Sequence, residues 1–128
     1  MWLLKTEPGP LGRDRAAGEQ MSGHLVALTT VGTAEDAERI ARALVEQRLA
    51  ACVNVVPGVV SVYRWKDAVE RDDEWLLVVK TTTERLEPLR EALIALHPYE
   101  LPELVALPIE GGHAPYLAWL AESVRDRC

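Results

Sequence analysis

A chain of 128 residues is one domain by size and long enough to bury a core without disulfide or metal staples. Its 14 basic and 20 acidic residues leave a net charge of −6, which excludes the basic field that phosphates require, so no nucleic acid is expected as a partner. No apolar run approaches the roughly 20 residues of a membrane helix, Met1-Trp2-Leu3-Leu4 is too short for a signal peptide, and Cys52 and Cys128 are too far apart in sequence and setting for a disulfide framework; the expectation is a cytoplasmic protein with no membrane contact.

Residues 1–22 carry glycines and prolines without a sustained period and read as an extension or linker; residues 23–126 carry the regular pattern of a single domain. His24 to Thr30 reads as a first strand closed by Gly32. Thr33-Ala34-Glu35-Asp36 has the form of a capping box, and Ala37, Ile40, Ala41, Leu44 and Val45 recur at three and four, so an amphipathic helix is expected to end near Leu49. The valine-rich stretch from Cys52 to Trp65 reads as one long strand, bent or bulged at Pro57-Gly58, where the missing proline N–H and the freedom of glycine are accommodated.

Lys66 to Asp73 is a mainly polar stretch and is expected to turn the chain back as a hairpin connection into a strand Glu74–Lys80. The near-continuous apolar run of that strand predicts burial on both faces. Thr82 or Thr83 can cap a second helix with Leu86, Leu89, Leu93 and Leu96 on its apolar face and Pro88 in its first turn. His97-Pro98 stops it, because the residue before proline is pushed out of the helical region. Leu104 to Ile109 is a final strand, with Pro108 marking an edge or its end, and Pro115 to Val124 a closing helix. The order predicts an α+β, ferredoxin-like β-α-β-β-α-β plan with an additional C-terminal helix. Two helices cover one face of such a sheet, so the other face, bearing valines and Tyr63, Trp65 or Trp75, points to an oligomer.

The segments Leu44 to Gly58, Tyr63-Arg64-Trp65, Leu77 to Thr82, His97-Pro98-Tyr99-Glu100-Leu101-Pro102-Glu103 and Tyr116-Leu117-Ala118-Trp119, in this order, closely resemble the CutA family. The resemblance spans roughly Leu25 to Val124. It implies a ferredoxin-like subunit that assembles into a homotrimer, and a role in divalent cation tolerance or the response to metal, with copper as the expected ion. Thr29 and Leu96 stand where copper-binding members look to have a cysteine and the first of two histidines, so of that ligand pattern only His97 carries over.

The candidate metal ligands are therefore His97, with Glu103 beside Pro102 and Cys52 behind it. Cys52 has no basic neighbour in sequence to lower its pKa and also reads as a plain buried thiol, while His24 and His113 read as solvent-facing. Val62, Tyr63, Trp65, Trp75 and Trp119 are expected at the trimer interface. No zinc spacing, Walker loop, dinucleotide fingerprint or nucleophile elbow is present, and the expectation is a protein without enzymatic activity. An alternative, suggested by the family's likeness to PII-type signalling trimers, is a small-ligand sensor in which Lys80 and Tyr99 help to hold an anion in clefts between subunits.

Overall fold

The computed structural model describes residues 23–126. The expected extension over residues 1–22, and Cys128, lie outside the described residues. Four strands, β1 (His24–Val31), β2 (Cys52–Trp65), β3 (Ala68–Thr82) and β4 (Val105–Pro108), form one antiparallel sheet in the order β2-β3-β1-β4. Helix α1 (Ala34–Glu46) joins β1 to β2, helix α2 (Leu86–Leu96) joins β3 to β4 after a 3-10 turn at Thr83–Arg85, and helix α3 (Ala114–Ser123) follows β4. This is the ferredoxin-like order.

Local chemistry explains the boundaries. Thr33 caps α1 by accepting the Asp36 N–H at 3.1 Å, with Glu35 and Asp36 in the first turn where the helix dipole favours acids. The helix ends at Glu46, earlier than its apolar period suggests, because Arg48 turns into the left-handed region at φ 60°. Val45, still within the helix, is exposed rather than part of the buried face. His97 leaves the helical region at φ −79°, ψ 136°, ending α2 as the following proline requires.

The strands alternate. On β1, Leu25, Ala27, Thr29 and Val31 are buried and the residues between them half-buried. Opposite them on β3, Leu77, Val79 and Thr81 are buried, and with Ile40, Leu44, Leu89 and Leu93 from the helices they form the core. Among the described residues the apolar run of β3 is thus covered on one face and only half-buried on the other, and not buried on both. The other face presents Val26, Leu28, Leu76 and Val78 half-buried, with Val56, Val105 and Leu107 exposed around them.

The polar stretch before Glu74 is strand and not connection: β3 begins at Ala68, and the turn is only Lys66-Asp67, both with positive φ (52° and 70°), as a tight two-residue hairpin demands. The register shifts between Val56 and Val59, with Gly58 at φ 77°, which places the expected bulge at Pro57-Gly58. Because β1 pairs only with Trp75 to Thr82, everything beyond Glu74 is a two-stranded arm that overhangs the sheet. Charges are tolerated there because no third layer covers either face.

Candidate functional site

The face of the sheet that the core leaves open ends in a polar cluster where β1 runs out. There α2 delivers His97, almost wholly buried at 7 % exposure. Its Nε2 donates to the Thr30 carbonyl at 2.9 Å, and its Nδ1 accepts the Tyr99 N–H at 3.2 Å. This is the pattern of a neutral ring with its proton on Nε2, and it commits both nitrogens. The ring also meets Tyr99 edge-on at 4.8 Å.

Tyr99 reaches back over Gly32, whose added Cβ would lie 3.2 Å from the Tyr99 hydroxyl, and donates to Glu74 Oε2 at 2.5 Å. Burial, reinforced by the Glu74 carboxylate, pushes the Tyr99 phenol far above its ordinary value, so it stays a donor at any physiological pH. Thr30 Oγ1 donates to Glu103 Oε1 at 3.3 Å. His97, Tyr99 and Glu103 are therefore brought together, all tied to the end of β1 or to β3. Glu74 completes the group, and sequence reasoning misses it, since the pattern marks it only as the first residue of a strand. The available signal was an acid set directly against the apolar run Trp75-Leu76-Leu77.

Cys52 and Lys80 lie elsewhere. They face each other across β2 and β3, and the Lys80 ammonium bonds to Asn54 Oδ1, which also takes a weak contact from Cys52 Sγ at 3.9 Å. Lys80 and Glu74 share one face of β3 but are six residues apart, about 20 Å along a strand. One copy of the chain does not bring Cys52 to His97, nor Lys80 to Tyr99. Thr29, where the resemblance expects a cysteine in copper-binding members, is fully buried on the helix-covered face, and its hydroxyl has no hydrogen-bond partner among the described residues.

Of the expected interface residues, Val62 (66 % exposed) and Tyr63 lie on the arm, and Trp65 at its tip is half-buried beneath the Lys66 ammonium, 5.4 Å from the ring centroid. Trp75 pairs with Val31 and packs against the helix-covered core. Trp119 on α3 is 47 % exposed and stacks beside Tyr116 at 5.4 Å. His24 is half-buried rather than solvent-facing, its Nε2 donating to the Leu117 carbonyl at 3.0 Å, which ties α3 to β1.

Among the described residues no three His, Cys, Asp or Glu side chains converge so that they could hold a metal ion. With both His97 nitrogens committed and Cys52 at the far end of the face, the donors of a single copy do not fit a metal centre. What the cluster offers instead is a buried carboxylate and a permanent phenol donor at the border of an apolar surface.

Residues 25–123 match the family model described as CutA1 divalent ion tolerance protein. Among curated relatives, the divalent-cation tolerance protein CutA of Thermus thermophilus is 57% identical over 98 residues, covering 77% of this chain and 95% of that one. Protein CutA of Homo sapiens is 41% identical over 124 residues, covering 94% and 69%. Among solved structures, the Thermus thermophilus divalent cation tolerance protein superposes with a TM-score of 0.78 at 55% identity, over 80% of this chain and 99% of that one. The PII-like protein CutA from Nostoc sp. gives 0.73 at 38% identity, over 79% and 97%.

Proposed function

The chain belongs to the CutA1 divalent ion tolerance family, and from that premise we propose that it acts in divalent cation tolerance as a non-enzymatic homotrimer, in which metal, copper before others, is met by donors from more than one copy. The observation that carries this reading is the open sheet face. Its valines and leucines, from Val105 and Leu107 on the β4 edge to Val56 on β2, are not covered by the two core helices, and a contiguous apolar face of this kind marks an association surface. Glu103 lies at one end of that face and Cys52 at the other, so assembly is the step that can bring them within reach of one ion, with His97 joining only by giving up its bond to the Thr30 carbonyl or to the Tyr99 N–H.

Light scattering and a copper titration of the pure protein test it. The expected results are a trimeric mass and a copper affinity that falls about tenfold or more in Cys52→Ser and in Glu103→Ala. A monomer, or an affinity indifferent to both substitutions and to His97→Ala, overturns the reading.

A second reading, small-ligand sensing, is favoured by the fold shared with a CutA protein named PII-like. Here the anion is met at the Lys80 end of the face, because the Tyr99 hydroxyl is already engaged by a carboxylate. A thermal-shift screen of anionic metabolites tests it: a ligand that binds only the native state raises the melting point, and Lys80→Ala abolishes the shift.

A further inference from the structure

Glu74 is the one buried carboxylate among the described residues, at 6 % exposure, and none of the described arginines or lysines pairs with it. Its named partner is the Tyr99 hydroxyl, a neutral donor on one oxygen. A carboxylate taken this far from water needs a cation or further donors on its remaining lone pairs. Arg64 is the converse. It is exposed on the arm, and it is the one arginine or lysine among the described residues with no hydrogen bond, ion pair or ring contact.

The two cannot meet within one chain. Arg64 pairs with Val69 and Glu74 with Val59, so five residues of β3 separate their positions, about 17 Å, and the odd spacing sets them on opposite faces. The arm face that carries Arg64 also carries Val60, Val62 and Val69, all more than half exposed. The sheet face that Glu74 borders is the open one, with Leu28, Leu76 and Val78. The Arg64 face is lined by valines beside the paired Arg71 and Asp73 and holds one guanidinium without a partner; the Glu74 face is apolar toward Leu76 and Val78, carries the exposed Asp72 and Glu70 on its arm side, and holds the one buried carboxylate. Two different complementary patches on one chain make a head-to-tail contact, which closes into a ring when the rotation permits.

We propose that Arg64 of a second copy of this chain pairs with Glu74, completing the Glu74–Tyr99 site across the subunit boundary. The planar guanidinium supplies the two parallel donors that the carboxylate can still accept, and Tyr99 holds the acceptor in place from its own chain. This rests on the homotrimer reading above and specifies which side chains set its register.

The experiment is a double-mutant cycle on the dissociation of the full chain, followed by light scattering through a dilution and denaturant series, with circular dichroism as the fold control. Arg64→Ala is expected to weaken association about tenfold or more in the wild-type background and by less than twofold in a Glu74→Gln background. The exchanged pair, Arg64→Glu with Glu74→Arg, is expected to associate more tightly than either single exchange. Should Glu74→Arg fail to fold alone, the Gln cycle still decides. A wild-type monomer overturns both this pairing and the trimer. A wild-type trimer in which Arg64→Ala and Glu74→Gln are each silent, or simply additive, overturns the pairing alone and returns Glu74 to a metal or a small cation.

Discussion

The same two strands build two different environments. From Trp75 onward β3 has neighbours on both sides and helices on one face, and its residues alternate between fully buried and half-buried. From Ala68 to Glu74 it has only β2 beside it and, Glu74 excepted, is exposed throughout. A two-stranded ribbon is marginal in water, since it pairs backbone but excludes little apolar surface. The core half therefore stabilises the subunit, whereas the arm adds little to it.

The sharpest way to break that contrast is to truncate one side chain on each side of it. Leu77→Ala, at a fully buried position, is expected to cost about 3 kcal/mol in chemical denaturation, from lost transfer and the cavity left behind. Val62→Ala, on the arm, should change the subunit's own stability by less than about 0.5 kcal/mol, while lowering the mass seen by light scattering on dilution. Equal losses of subunit stability would mean that the arm is part of the core and that the division drawn here is wrong.

A smaller effect probes the core from within. Thr29 stands opposite Leu77, fully buried, with its hydroxyl unpartnered among the described residues. Thr29→Val removes a desolvated polar group and keeps the shape, so it should stabilise the protein by about 1 kcal/mol. A loss of similar size would reveal a buried water bonded to that hydroxyl.

How far these features can be read from residues alone depends on the range of the forces that set them. The first strand, the Thr33 cap, the Pro57-Gly58 bulge and the His97-Pro98 stop are all legible, because each is fixed by neighbours within four residues. The length of β3 is not. Its charged half looks like a loop, since strand patterning reports burial, and this part of the strand is paired without being buried. The apolar half misleads in the other direction, for Leu76 and Val78 lie half-buried on the face that the helices leave open. At the site, His97 and Tyr99 stand out by their place in a helix exit, but their state depends on Thr30, 67 residues before His97, and on Glu74, 25 before Tyr99. Position along the chain carries no trace of those bonds.

The smallest effect separates the arm from the core by pH. Tyr63 donates to Asp72 across the arm, and that hydrogen bond, with the nearby carboxylate charge, pushes its phenol up to about 12. A raised phenol pKa means that folding favours the protonated form. Its contribution is therefore complete below about pH 10, the unfolded value, and is lost as pH rises from there through about 12. The buried polar side chains beside Leu77, Thr29 and Thr81, do not ionise, so the arm should loosen first. Absorbance at 295 nm should show a phenolate step near pH 12 that moves toward its ordinary value in Asp72→Asn, and that substitution should cut the arm's amide protection while leaving β1 amides unchanged. If β1 and arm amides lose protection together, the arm is not an independent unit and its valines owe their exposure to something other than an absent neighbour.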